Sequence, residues 1–78
     1  MAQSRLYRTE AIVLRQMDYA EADRILTLLT PKGKISALAK GIRRVTSRKV
    51  GHLGLFYRAE VVMARGRNMD IVSQAESI

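Results

Sequence analysis

The apolar residues of this chain come in short segments set between turn-forming residues, and the clearest segment alternates with a period of two. In residues 34–40, Ile35, Ala37 and Ala39 share one face, and Lys34, Ser36, Leu38 and Lys40 share the other. Successive side chains of a β-strand point to opposite faces, so the pattern predicts a half-buried strand. Immediately upstream, Thr30-Pro31-Lys32-Gly33 has the chemistry of a tight turn: proline presets φ and glycine accepts positive φ. Before that turn, residues 23–30 predict another strand, with Ile25, Thr27 and Leu29 facing one way and Leu26 and Leu28 the other. Residues 10–15 (Glu-Ala-Ile-Val-Leu-Arg) are rich in branched side chains and too few for a helix, so they predict a third. The three suggest a meander.

Downstream, residues 55–65 predict a long strand, and residues 69–76 predict a fifth. Between them, Arg65-Gly66-Arg67-Asn68 reads as a hairpin connection, with glycine and asparagine tolerant of positive φ. Residues 41–53 differ in kind: they are basic and polar, broken by Gly41, Gly51 and, just beyond, Gly54. Thr46 or Ser47 is suited to cap a short helical turn, although no acid follows three residues later to complete a capping box. There is no internal repeat.

Five short strands, with the one non-strand insert between the third and fourth, match an all-β, five-stranded Greek-key barrel of the OB type, with a short helix allowed in the insert. An SH3-like barrel is the nearest rival, and periodicity alone does not separate the two. The 78 residues predict a single domain, 1–78. With no cysteine, disulfides, thiol catalysis and thiolate metal sites are excluded, and cytoplasm is the default compartment. The N-terminal residues lack the apolar region of a signal peptide, and no apolar run approaches the roughly 20 residues that span a bilayer. The expectation is a soluble intracellular domain or a piece of a longer protein.

The formal net charge of +7 is concentrated. Residues 31–58 hold Lys32, Lys34, Lys40, Arg43, Arg44, Arg48, Lys49 and Arg58 and no acid, whereas the flanking regions are near balance. A concentrated positive field suits a polyanion. Lys40, Arg43, Arg44, Arg48 and Lys49 form the primary predicted nucleic-acid site, because Arg forks grip phosphate oxygens and Lys adds a point charge. A solvated basic loop is the plainer reading, and the lack of interspersed acids weighs against it. Lys32, Lys34, Arg65 and Arg67 form a secondary set beside hairpin connections, where OB barrels often bind, although solubility explains them nearly as well. The segment shows no apolar face suited to a membrane surface.

Aromatic residues are few: Tyr7, Tyr19, Phe56 and Tyr57. Phe56, among Leu53, Leu55 and alternating apolar residues, is expected in the core. Tyr57 has the opposite parity and is the one stacking candidate. So poor a supply implies mostly electrostatic, sequence-independent binding. His52 stands without a second histidine, and Ser36 and Ser47 show no catalytic partners, so neither a metal site nor an enzyme is expected. Gly33-Lys34 is not a phosphate loop, since that motif's preceding glycine and following hydroxyl positions hold Leu28 and Ile35. Asp18, Glu21 and Asp23 cluster between the first two strands. Turn formation and neutralisation of nearby arginines come first for them, a contact with a basic partner protein second, and magnesium or acid–base work is the remaining alternative.

Several blocks together carry a family signal: Glu10-Ala11-Ile12-Val13-Leu14, then Tyr19-Ala20-Glu21-Ala22-Asp23-Arg24-Ile25-Leu26, then Ala39-Lys40-Gly41-Ile42-Arg43-Arg44 with Ser47-Arg48, then Gln74-Ala75-Glu76. In order and spacing the chain resembles the N-terminal domain of the bacterial RecO family of recombination mediators, over nearly its whole length. The resemblance implies an OB-fold, followed in the full protein by a helical domain, sometimes with a zinc site. It implies binding of single- and double-stranded DNA, annealing of complementary strands, and work with RecR and single-strand-binding protein to load RecA. It also implies a cytoplasmic, nucleoid-associated protein without a cofactor. Contact with single-strand-binding protein and the RecA pathway is implied through the C-terminal part. Two other readings stand beside this one: a docking module for a partner such as RecR, with DNA held elsewhere in the full protein, and an RNA-binding barrel of the translation apparatus.

Overall fold

In the computed structural model, which describes residues 5–43 and 53–78, one long strand is shared between two neighbours. Strand β1 (Leu6–Tyr19) pairs antiparallel with β4 (Arg58–Ala64) through its first half, Leu6 opposite Ala64 to Ile12 opposite Arg58. Its second half pairs antiparallel with β2 (Asp23–Thr30), from Ile12 opposite Leu29 to Tyr19 opposite Asp23. The register slips between Val13 and Arg15. Such a bulge bends a strand and increases its twist, which lets one strand turn from one side of a barrel to the other. Strand β1 is therefore far longer than the predicted 10–15. Its outer positions are polar (Arg8, Glu10, Arg15), which hid its ends.

Strands β2 and β3 (Gly33–Ala39) form a hairpin with Thr30 opposite Gly33. Gly33 has a φ of 116°, a value that a side chain disfavours. The Thr30 hydroxyl accepts the Lys32 N–H at 3.2 Å and donates to the Gly33 carbonyl at 2.9 Å, so the turn holds itself. Strands β4 and β5 (Asp70–Ser77) pair antiparallel with a second register slip after Val62. The barrel closes where β5 meets β3 in parallel, at Ala37 opposite Asp70 and Leu38 opposite Ile71. The strand order is β1-β2-β3-β5-β4, as a closed barrel, and among the described residues there is no helix.

The core follows the alternation. Ala11 and Val13, Leu26 and Leu28, Ala37 and Ala39, Ala59, Val61 and Met63, and Val72 point inward and are buried. Of the two faces open for β2, that of Leu26 and Leu28 is the inner one. Small and large side chains alternate, as the narrow interior of a small barrel requires. Ile42 and Leu53, just before and after the undescribed residues, are also buried, and each such aliphatic side chain contributes about 1.5–3 kcal/mol.

Two expectations fail at the start of β4. The strand begins at Arg58 rather than at residue 55, and Phe56 is 68% exposed rather than in the core. Residues 54–57 form a turn closed by the Tyr57 N–H donating to the Gly54 carbonyl at 2.9 Å, and Phe56 sits at a φ of 64°. That conformation costs a bulky residue about 1–2 kcal/mol. Running β4 backward from its buried Ala59, Val61 and Met63 puts Phe56 on the face of Arg58 and Glu60, and this parity pointed outward. The cap predicted at Thr46 or Ser47 lies outside the described residues.

Candidate nucleic-acid interface

The outer face of β1, β2 and β3 is ordered along the strands. At the hairpin end Leu29 lies opposite Lys34, and Lys32 stands on the turn. Next come Arg15, Thr27 and Ser36, side by side on three strands. An apolar row follows: Met17, Ile25 and Leu38, continued onto β5 by Ile71. Lys40 leaves the far end of β3. At about 3.3 Å per residue, Lys34 and Lys40 lie about 20 Å apart. Lys40 of the primary set and Lys34 of the secondary set thus lie at opposite ends of one sheet face rather than at one spot.

At the hairpin end, exposed Lys32, Lys34 and Arg67 have no carboxylate within ion-pair distance among the described residues. Arg67 lies in the connection 65–69, which leads into Asp70 and approaches β3 from the Gly33 side, since Asp70 stands opposite Ala37 in a parallel pair. This connection is firmly built. The Asp70 carboxylate accepts the Gly66 N–H at 3.1 Å and the Tyr7 hydroxyl, and Arg65 lies 4.5 Å above the Tyr7 ring. Burial, with help from the Asp70 hydrogen bond and charge, raises the Tyr7 phenol to about 12 against the opposing pull of Arg65. A side chain at Gly66 would collide with the Met69 carbonyl. Arg65 is therefore held over a ring, while Arg67 reaches outward.

At the other end the acids and the start of the basic stretch interlock. Asp18 accepts Arg24 at 3.0 Å and lies 3.7 Å from the Arg43 guanidinium. Arg43 also donates to the Ala20 carbonyl at 3.2 Å, and its backbone N–H donates to Ala22 at 2.9 Å. Asp23 accepts the Gly41 N–H at 2.7 Å. Asp18 and Asp23 thus fasten residues 41–43 to the β1–β2 connection, where Asp18 and Glu21 both remain exposed to solvent. The charge count along the chain missed this, because Asp18 and Arg43 meet only in three dimensions. These acids do not gather into a group that could hold a metal ion. Arg44, Arg48 and Lys49 lie outside the described residues. Tyr57 is 57% exposed beside Phe56.

The opposite wall, β1 with β4, neutralises itself. Glu10 stands opposite Glu60, and each is met diagonally by an arginine: Arg8 to Glu60 at 2.9 Å and Arg58 to Glu10 at 3.2 Å.

A closed five-stranded barrel in the order β1-β2-β3-β5-β4, with exposed cations at the β2–β3 hairpin and the β4–β5 connection, is an OB-type barrel. The family described as Recombination protein O N terminal matches residues 1–78, and the chain belongs to it. It is 55% identical over 74 residues to the DNA repair protein RecO of Bifidobacterium adolescentis, covering 94% of this chain and 30% of that protein. It is 46% identical to the DNA repair protein RecO of a Roseiflexus species, covering 95% and 26%, and 48% identical to that of Heliobacterium modesticaldum, covering 95% and 28%. The chain spans less than a third of the length of these relatives. Among the described residues no helix is long and apolar enough to cross a membrane.

Proposed function

We propose that the chain is the DNA-binding module of a recombination mediator acting in DNA repair. It holds the phosphates of single- and double-stranded DNA with little regard to sequence, and screens phosphate repulsion while two strands anneal. The observation that carries this reading is the contrast between two walls of one barrel. Arg8, Glu10, Arg58 and Glu60 cancel in pairs, while Lys32, Lys34 and Arg67 stand exposed with no carboxylate to pair with among the described residues. The strand 2–3 face of an OB barrel is where oligonucleotides bind. Arg44, Arg48 and Lys49 add charge beyond Lys40 in sequence, and the names of the relatives agree with a repair role.

In the full protein this module works with RecR and, through the C-terminal part, with single-strand-binding protein and the loading of RecA. It is a binding module, not an enzyme, and acts in the cytoplasm on the nucleoid. The docking alternative loses ground because Asp18 and Asp23 already make internal contacts, although Asp18 stays exposed beside Glu21.

A salt titration with a fluorescent oligonucleotide tests the proposal. Each phosphate contacted on a single strand contributes about −0.7 to the slope of log K against log salt, so three to five contacts give roughly −2 to −4. A flat dependence, or no binding at low salt, removes the reading. Oligomers of equal length and different composition are expected to bind within about tenfold, or roughly 1.4 kcal/mol.

A further inference from the structure

The turn before β4 displays three large apolar side chains in a row: Leu55 at 47% exposure, Phe56 at 68% and Tyr57 at 57%. Free chain ends and mobile loops often do so, but this turn is clamped. The Phe56 N–H donates to the Val13 carbonyl at 2.6 Å, and the Val13 N–H donates to the Tyr57 carbonyl at 3.2 Å, at the point where β1 bulges. The Gln16 amide donates to the Leu53 carbonyl at 2.8 Å, and the Leu53 side chain is buried. The Tyr57 ring lies against Gly54. Phe56 is thereby held in a left-handed conformation that a ring-bearing residue avoids unless its surroundings impose it, and the ring is presented to solvent.

The surroundings indicate what meets it. Arg58, two residues on, lines a shallow cleft with Glu10, Ala11, Ile12, Leu29, Thr30 and Pro31. Pro31 belongs to the hairpin that carries Lys32 and Lys34, so the cleft joins the proposed phosphate track to the residue next to Tyr57. Its one acid, Glu10, is paired with Arg58 at 3.2 Å. In sequence the turn also follows Arg48 and Lys49. Rigid aromatic rings at the end of a basic track match a strand whose bases are free to stack while its phosphates are held.

We propose that Phe56, with Tyr57, is a stacking platform for unpaired nucleobases and gives the module a preference for single strands over duplex. The inference rests on the nucleic-acid reading above, and its test separates the two. In the full-length protein, Phe56→Gly removes the ring and keeps a residue at ease with positive φ, so the fold is retained, as thermal unfolding checks. Binding is measured to a single-stranded oligonucleotide, a duplex of equal length, and an abasic oligomer with the same phosphates and no bases. The expected result is a loss of about tenfold for the single strand, little change for duplex and abasic oligomer, and an unaltered salt slope. Equal losses on all three, or no loss on any, overturns the stacking role while leaving phosphate binding intact. Phe56→Trp supplies a second readout: its fluorescence is quenched by the single strand and not by the abasic oligomer, and equal quenching by both also overturns it.

Discussion

The β1–β4 wall and the β2–β3 wall of this barrel do opposite things with charge. On β1–β4, Glu10 directly opposes Glu60, an arrangement that is unfavourable alone, and Arg8 and Arg58 answer it diagonally. The wall ends near neutral. On the other side, Lys32 and Lys34 project from a hairpin whose hydrogen bonds are made by Thr30 and the backbone, and their charges meet no carboxylate among the described residues. The lesson is that a count of cations overstates a binding surface. What matters is which cations the fold has already used, and Arg43, fastened to Asp18 and Ala20, belongs partly with the used ones.

The largest expected effect tests that division directly. Lys34→Glu with Arg67→Glu is expected to weaken oligonucleotide binding at least about tenfold and to flatten the salt slope by about 1.4. Arg5→Glu with Arg8→Glu makes the same change in net charge and is expected to cost less than about threefold. Equal losses in fluorescence titrations would dissolve the comparison into a diffuse field.

A second experiment asks what Arg43 is for. Arg43→Glu sets a carboxylate against Asp18 and is expected to destabilise the fold by about 1–2 kcal/mol, whereas Lys34→Glu should change it by no more than about 0.5 kcal/mol. Denaturant midpoints measure both, and an unchanged midpoint for Arg43→Glu would return that residue to the binding set.

A smaller effect should appear at high pH. The Tyr7 phenol, raised in the fold to about 12 from 10.0, keeps its proton where an unfolded tyrosine loses it. Its contribution is full below pH 10 and is lost as pH rises through about 12. Tyr7→Phe should flatten that part of the stability profile relative to the parent chain, since the other titrating groups are common to both. Parallel slopes for the two would remove Asp70 and Tyr7 as a brace of the β4–β5 connection.

The smallest effect belongs to the neutral wall: Glu60→Gln leaves Arg8 without its partner and is expected to cost less than about 1 kcal/mol, the range for exposed pairs. A larger loss, read in low and high salt, would mean that this wall is a stability device and not just a neutral one.

Much of the barrel was legible because its local signals agree. Pro31 and Gly33 mark the hairpin, and the alternation around Ala37 and Ala39 marks the buried face. What was not legible depends on partners distant in the chain. The ends of β1 carry polar residues because their outer face is solvated, and Phe56 is held outward by Val13, more than forty positions earlier. The candidate site was legible as charge composition, not as geometry: nothing in the order of residues shows that Lys34 and Lys40 bracket one face while Asp18 claims Arg43.

The parallel seam between β3 and β5 is the shortest ladder of the barrel, two paired positions long. Only Ala37 and Leu38 of β3 are paired in register with β5, so the backbone of residues 33–36 is not hydrogen-bonded into a ladder with that strand. An uncovered edge invites another strand, and a lysine placed on it discourages that pairing, so Lys34 has a second occupation as guard of the chain's solubility. If so, Lys34→Val should leave the folded domain intact yet make it self-associate at high concentration. Light scattering would reveal this, and a variant that stays monomeric would show the edge to be protected by other means.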